Sequence, residues 1–250
     1  FLMEALHHAS WKLQHIISLF VDLRIKWYDA RFPPEKTASF FADVDAVVVA
    51  GGFGSTGLEA MVSCLSYVRE NHIPTLGICL GMQLIVVEYL RSECGKTGAI
   101  SVEMLDETVG LHKNTTTENV VVGTIDANTT HNEQNKGGTM RLGNYVVRML
   151  PDSLILKMYN KWGFEGTSFA ERHRHRYEIA SSCPFMLSDT ALQISGYHDD
   201  LIETVELHSS HPFYVGCQYH PEYNSTPFVP HPLFMELLRI AFVTQKRNAM

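Results

Sequence analysis

One stretch of eight residues, Leu76 to Gln83, constrains the fold more than any other part of the chain. It reads Leu-Gly-Ile-Cys-Leu-Gly-Met-Gln, follows a short apolar segment introduced by Pro74, and precedes a helix-forming run from Leu84 to Arg91. The pattern predicts a strand, a one-residue turn at Cys79 and a helix, with small neighbours that let the two elements approach. The thiol would then lie at a sheet edge and a helix N-terminus, where backbone dipoles favour a thiolate. A nucleophile and a buried structural cysteine both fit this pattern when it is taken alone.

The segments before this turn extend the pattern to a layered α/β fold. Residues 45–50 form a β-branched run that ends at Gly51-Gly52, which predicts a strand buried on both faces. Apolar residues at helical spacing follow between Leu58 and Val68. Strand, helix, strand and helix in this order predict a doubly wound, mostly parallel sheet with helices on both faces. Ligands of such sheets bind at the carboxyl ends of the strands, where Gly52 and Cys79 both lie.

Periodicity predicts the remaining elements. Helices are expected at 4–18 and from Pro232 to about residue 246, and a half-buried strand is expected at 23–28. Further strands are predicted at 120–125, 141–149, 170–178, 191–196, 202–207 and 213–219. Residues 92–138 are otherwise polar and predict a long surface excursion. Since no repeat or linker divides the chain, a single domain over 1–250 is predicted.

Composition excludes several classes of protein. The 250 residues, 45% of them hydrophobic, suffice for a large core, and no apolar run is long enough to cross a membrane. Five irregularly spaced cysteines indicate a reducing compartment, so a cytoplasmic location is expected. A net charge of −7 without a basic block disfavours nucleic acid as a partner. The chain begins inside a predicted helix, which suggests an excerpt from a longer protein.

Two motifs invite other interpretations. The run from Gly52 to Gly57 matches the dinucleotide fingerprint G-x-G-x-x-G, but the next strand ends at Cys79 without the carboxylate that would bind a ribose. A backbone amide of Gly52 that stabilises a developing oxyanion fits better. The 13 histidines, above all those in 172–176, suggest a metal, but no C-x-x-C or H-E-x-x-H pattern supports one and no metal is predicted. A solvated basic strand face, or an arginine that binds a carboxylate, remains for 172–176.

A candidate general base lies near the carboxyl end of the chain. His220 follows an apolar strand, and Glu222 comes two residues later. Residues two apart in extended chain project to the same side, so the carboxylate can fix the tautomer of the imidazole. A thiol nucleophile needs such a base and such an orienting acceptor. Cys79, His220 and Glu222 are therefore the predicted catalytic set.

These motifs together resemble one family. Gly-Ile-Cys-Leu-Gly-Met-Gln at 77–83, Val-Ala-Gly-Gly-Phe-Gly at 49–54 and Gln-Tyr-His-Pro-Glu at 218–222 are similar to the class I glutamine amidotransferases of the Cys-His-Glu type. Segments 137–143 and 171–178 look like those peculiar to the CTP synthase branch. The resemblance covers about residues 4–245 and implies a flavodoxin-like domain that hydrolyses L-glutamine to glutamate and ammonia.

The resemblance also implies roles for individual residues. The amides of Gly52 and Leu80 would form the oxyanion hole, Arg176 would bind glutamine, and Glu103 would receive its α-ammonium. The other residues implied in substrate binding are Phe53, Gln83 and Tyr177. Two departures from the family pattern are Ala50, where a proline is usual, and Ala-Ile-Ser-Val-Glu at 99–103 in place of Ala-Asn-Ser-Thr-Glu.

The same resemblance predicts partners and cofactors. No cofactor is expected in this domain, whereas ATP, UTP and Mg²⁺ are expected in an N-terminal synthetase domain that this chain lacks and that would use the ammonia. The full enzyme is expected to be a homo-oligomer. Three alternatives stay open at this point: another class I amidotransferase or a γ-glutamyl hydrolase, a catalytically silent binding module on the same fold, and a nucleotide-binding domain.

Overall fold

The computed structural model describes residues 1–17, 22–104, 120–124, 140–207 and 211–248. The helices are α1 (Leu2–Ile17), α2 (Thr37–Phe41), α3 (Leu58–Glu70), α4 (Leu80–Ser92), α5 (Leu154–Lys161), α6 (Cys183–Leu187) and α7 (Pro232–Asn248). The strands are β1 (Val47–Val49), β2 (Thr75–Ile78), β3 (Ile100–Ser101), β4 (Val120–Thr124), β5 (Arg141–Met149), β6 (Ser168–His175), β7 (Tyr177–Ile179), β8 (Leu192–His198), β9 (Leu201–Leu207) and β10 (Tyr214–Cys217).

Seven strands form the main sheet, in the order β1-β2-β10-β9-β8-β5-β6. Helices α3 and α4 supply one buried apolar cluster, and α1, α5 and α7 supply a second, so helices cover both faces as predicted. The predicted α/β fold class is confirmed. The sheet is mixed rather than mostly parallel, however, because among its described strands only the β1–β2 and β2–β10 pairs are parallel. The other four neighbouring pairs are antiparallel, and the β8–β9 pair needs only a short turn.

Most of the predicted helices and strands are present, and the differences have local causes. Residues 23–26 alternate between half-buried and exposed side chains as predicted, but Lys26 and Trp27 are both exposed, which breaks the alternation. No described strand pairs with residues 23–28, so they form no β-strand. Strand β1 is half-buried rather than buried on both faces, because it is the edge of the sheet and pairs with β2 alone. The predicted strand at 170–178 is two strands, since β6 ends before Arg176 and β7 joins a second sheet with β4 and β3.

Part of the predicted surface excursion at 92–138, including the first three residues of the 137–143 segment, lies outside the described residues. So does residue 18 of the first predicted helix. Along the part of the chain that the structure describes, no helix combines the length and apolar character needed to cross a bilayer.

Candidate active site

The turn at Cys79 joins β2 to α4 in a backbone conformation that is rare for a residue with a side chain. Its φ and ψ are 53° and −105°, and its main-chain amide donates to the carbonyl of Cys217 on the neighbouring strand at 2.7 Å. A methyl group on Gly77 would lie 2.7 Å from the carbonyl of Gly81, and one on Gly81 would collide with the carbonyl of Val49. The two glycines therefore allow the strand and helix to pack closely, as the sequence pattern predicts.

The sulfur of Cys79 is a neutral thiol at rest. Only 3% of this residue is exposed, and burial raises the pKa of its thiol to about 12. The Leu80 amide and the Gln218 side chain donate to the sulfur and lower this pKa, but burial outweighs both, and the carboxylates of Glu103 and Glu222 raise it further. The helix N-terminus therefore favours a thiolate as expected, through the Leu80 amide, but its effect is smaller than that of burial. Nucleophilic chemistry at this sulfur requires a base.

His220 and Glu222 lie beside this thiol. The Nδ1 of His220 is 2.7 Å from a carboxylate oxygen of Glu222. The main-chain amide of His220 donates to the Arg172 carbonyl at 2.7 Å. A methyl group built on Gly51 would lie 2.8 Å from Cε1 of His220 and 3.3 Å from Cβ of Cys79. The imidazole and the cysteine thus border the same point. The Nε2 of His220 is buried and finds no hydrogen-bond partner among the described residues, so it is available to accept a proton.

The loop after β1 lies against the turn. A methyl group on Gly52 would lie 3.5 Å from a side-chain carbon of Leu80, so the loop packs against the first residue of α4. Phe53, next in the loop, is 54% exposed. Glu103, in the short 3₁₀ helix Val102–Met104, accepts a hydrogen bond from the Gly54 amide at 3.0 Å, and burial raises the pKa of its carboxyl group.

The remaining predicted binding residues belong to α4 and to the β6–β7 segment. Arg176 is exposed at the break between β6 and β7 and forms no ion pair with a described residue. Tyr177 is half-buried against the core, and its carbonyl accepts a hydrogen bond from Nε2 of Gln83 at 2.8 Å. Gln83 itself is buried in the first turn of α4.

Comparison with known proteins identifies the family. Residues 7–240 match the family model described as Glutamine amidotransferase class-I. The chain belongs to the class I glutamine amidotransferase family. This amidotransferase is 38% identical to the CTP synthase of Nostoc punctiforme over 96% of its own length and 40% of that protein. It spans about two fifths of the length of the curated relatives that it matches.

One solved structure supports the family assignment, and a second shows the same fold. The glutaminase domain of Trypanosoma brucei CTPS with bound acivicin is 30% identical, with a TM-score of 0.80 over 96% of this chain and 86% of that one. A protein from Thermoplasma acidophilum that is described as a GMP synthase subunit, 18% identical, matches with a TM-score of 0.56 over 98% and 92% of the two chains, which shows a shared fold alone.

One residue of the amidotransferase site was absent from the sequence-based prediction. Gln218, on the strand end that leads to His220, is fully buried, and its Nε2 donates to the sulfur of Cys79 at 3.6 Å. Its Oε1 accepts from Nε2 of Gln83 at 3.0 Å. The signal available in the sequence is a lone polar residue in an apolar strand, two positions before the predicted base.

The histidine-rich segment of this amidotransferase alternates between two environments. Arg172 and Arg174 are exposed, as a solvated basic face requires, whereas His173 and His175 are buried. Burial, with a contribution from nearby Arg141, lowers the pKa of His175 to about 2, so this residue is neutral. No group of three or more potential metal ligands is arranged to hold an ion among the described residues.

Proposed function

We propose that this chain hydrolyses L-glutamine to glutamate and ammonia, with Cys79 as the nucleophile, His220 as the general base and Glu222 as its orienting carboxylate. One observation carries the proposal: the imidazole of His220 and the side chain of Cys79 border one point beside Gly51, with the imidazole hydrogen-bonded to Glu222. The family match supports it. So does the similarity to a glutaminase domain described with bound acivicin.

The proposed reaction proceeds through a thioester. His220 accepts the thiol proton at Nε2 while the sulfur of Cys79 attacks the side-chain amide carbon of glutamine. The imidazolium then protonates the departing nitrogen, the carbon–nitrogen bond breaks, and ammonia leaves a γ-glutamyl thioester. His220 next takes a proton from water, whose oxygen attacks the thioester carbon. The carbon–sulfur bond then breaks, glutamate leaves, and the imidazolium returns its proton to the sulfur of Cys79. The raised pKa of Cys79 makes this base essential, because little thiolate exists at neutral pH without it.

The neighbouring residues fit the binding of an amino acid. The amides of Gly52 and Leu80 are proposed to hold the oxyanion, which develops only as the amide carbon becomes tetrahedral. Glu103 is proposed to receive the α-ammonium, and the exposed guanidinium of Arg176 to pair with the α-carboxylate. The other proposed lining residues are Phe53, Gln83 and Tyr177.

We further propose that the ammonia is used outside this chain. The similarity to CTP synthases, over two fifths of their length, supports a synthetase domain that aminates UTP to CTP with ATP and Mg²⁺. A single domain over 1–250, a cytoplasmic location, a homo-oligomeric full enzyme and the absence of nucleic-acid and membrane partners stay predictions, as does the absence of a cofactor here.

Acivicin labelling combined with a glutaminase assay tests the proposal. Wild type is expected to release glutamate from glutamine and to gain one acivicin adduct on Cys79, located by peptide mass spectrometry. Cys79→Ala removes the nucleophile and should lower glutamate release about 10⁴-fold or more, as in other triad enzymes.

Cys94→Ala is the matched control, because Cys94 lies past the end of α4 and is only partly buried. It should keep wild-type activity and wild-type labelling. Glutamate release that survives Cys79→Ala, or an acivicin adduct on another cysteine, would contradict the assignment.

A further inference from the structure

A chain of three hydrogen bonds connects the backbone of β7 to the sulfur of Cys79. The carbonyl of Tyr177 accepts from Nε2 of Gln83 at 2.8 Å, and the same nitrogen donates to Oε1 of Gln218 at 3.0 Å. The Nε2 of Gln218 then donates to the sulfur at 3.6 Å. Both glutamine side chains are buried, Gln218 completely. Both NH₂ groups and the carbonyl oxygen of Gln218 have hydrogen-bond partners within this chain of contacts, which gives it a defined arrangement.

The direction of the chain is fixed by its first member. A backbone carbonyl can only accept a hydrogen bond, so Gln83 must present its NH₂ group to Tyr177. The same NH₂ group faces Gln218, which must therefore present its carbonyl oxygen. The NH₂ group of Gln218 is then left to point at the sulfur. Flipping either amide would place two acceptors or two donors together, so Cys79 receives a donor and not an acceptor.

We propose that Gln218 is a residue of the catalytic machinery, whose amide donates to the sulfur of Cys79 and stabilises its thiolate, with Gln83 as the positioning residue that fixes the direction of that donor. The proposal deepens the glutaminase function and rests on it for its catalytic meaning. A hydrogen bond to a charged group is stronger than one to a neutral group, so the contact strengthens as His220 removes the thiol proton. The sulfur then has two donors, the Leu80 amide and Gln218.

This role also fits the leaving-group step. When water attacks the thioester, the sulfur departs as a thiolate and again needs stabilisation. An NH₂ group that is held in place costs no reorganisation at that moment. The buried Oε1 of Gln83 finds no partner among the described residues, so Gln83 is anchored through its nitrogen alone.

The test measures the reactivity of Cys79 without glutamine, so it is independent of the proposed function. Wild type, Gln218→Met and Gln218→Glu are treated with iodoacetamide between pH 6 and pH 10, and the rate at each cysteine is followed by mass spectrometry. Methionine keeps the length and apolar stem of the side chain but cannot donate, and glutamate replaces the donor by a negative oxygen. Loss of the bond should raise the pKa of Cys79 by about one to two pH units. Because the whole range lies below the pKa of this thiol, the alkylation rate should then be lower at every pH tested.

The alkylation rate of Cys79 should fall by a smaller factor than the fraction of Cys79 that is present as thiolate. A less acidic thiol is intrinsically more nucleophilic, so alkylation of Gln218→Met at pH 8 should be about 3- to 10-fold slower than that of wild type. Gln218→Glu should be slower still, because its charge opposes the thiolate. Gln83→Met should show a smaller decrease, because Gln218 keeps its donor but loses its anchor. Alkylation of Cys94 in the same samples should not change.

Gln193→Met is the matched control, since Gln193 is an exposed glutamine on β8 of the same sheet, and it should react as wild type does. The proposal is overturned if Gln218→Met alkylates at the wild-type rate across the pH range, or if Gln218→Glu reacts faster than wild type. If the alkylation rates fall as expected but wild type shows no glutaminase activity, the hydrogen bond to the sulfur is supported and the proposed function fails.

Discussion

At the scale of single residues, the site depends on the absence of a side chain at Gly51 as much as on the side chains of His220 and Cys79. Gly51 lies where the imidazole of His220 and the Cβ of Cys79 approach each other, and any larger residue would enter that space. The pKa of the thiol is raised to about 12, so its ionisation depends on the imidazole keeping its place. The distance between base and nucleophile is therefore controlled by a residue that takes no part in the chemistry.

Gly51→Ala tests this control. The added methyl would lie 2.8 Å from Cε1 of His220, so the ring must leave its present position beside Cys79. A misplacement of about 1 Å can cost about 10²-fold in rate, and we expect a loss of that size in glutamate release and in acivicin labelling. Gly123→Ala is the control, because nothing lies within 4 Å of its added Cβ. Wild-type rates in Gly51→Ala would show that the close approach is unimportant.

At the scale of elements, helix α5 is held to the sheet by a carboxylate from a strand. Glu206, buried on β9, accepts from the amides of Leu154 at 2.7 Å and Ile155 at 3.0 Å. Ser153 caps the same end by accepting from Leu156 at 3.2 Å. The carboxylate of Glu206 thus accepts hydrogen bonds from amides that have no partner within the helix, and its negative charge lies at the positive end of the helix dipole. These contacts fix α5 over the second apolar cluster.

Glu206→Gln should therefore lower the stability of the fold without changing the site. The amide offers one acceptor in place of two and carries no charge, so the free energy of unfolding should fall by about 1–2 kcal/mol, measured by urea denaturation. Glutamate release per folded molecule should be unchanged. Glu165→Gln, at an exposed position after α5, is the control and should change the free energy of unfolding by less than about 0.5 kcal/mol. Equal effects of the two substitutions would contradict the capping role.

At the scale of the whole molecule, buried ionisable groups join the strands and set the response to pH. Arg141 pairs with Glu178 at 3.0 Å and Glu203 at 2.8 Å, which links β5, β7 and β9. Mainly because they are buried, His175 has a pKa lowered to about 2 and His211 a pKa lowered to about 4. Both histidines are neutral in the folded chain at pH values where the unfolded chain binds a proton on each.

The sign of the pH dependence follows from these values. Above about pH 6.5 neither state protonates the two histidines, so their contribution to stability is complete there. It is lost as the pH falls, because the unfolded state then binds more protons, by at most about 1.4 kcal/mol per pH unit for each histidine. The pKa of Glu171 is lowered by His231 and the hydrogen bonds to its carboxylate, which adds a loss of the same sign at still lower pH.

His175→Gln should flatten this dependence. Glutamine can donate to the Tyr177 carbonyl, the acceptor of His175, but cannot take up a proton. Between pH 4.5 and pH 6 the slope of unfolding free energy against pH should decrease by about 1.4 kcal/mol per unit, measured by urea denaturation at several pH values. His15→Gln, on the exposed face of α1, should leave the slope as it is. An unchanged slope in His175→Gln would mean that His175 is charged in the folded state.

The sequence by itself determined the features that depend on near neighbours along the chain. Glycines two residues to either side of Cys79 dictate the sharp strand-to-helix turn, because steric contacts act within a few residues. The apolar period predicts α3 and α7, and an unbroken run of helix-forming residues predicts α4. The pairing of His220 with Glu222 was likewise predictable, since only one residue separates them.

Only the tertiary structure decided what depends on burial and on partners distant in sequence. Residues 23–28 alternate apolar and polar residues along most of their length but have no described strand to pair with. The parallel part of the sheet stops at β10, because β9, its neighbour on the other side, runs antiparallel to it. The thiol of Cys79 is neutral because desolvation outweighs its local donors, a balance that composition and spacing do not record. Gln218 reaches the sulfur from 139 positions away, through a contact that only the folded sheet creates.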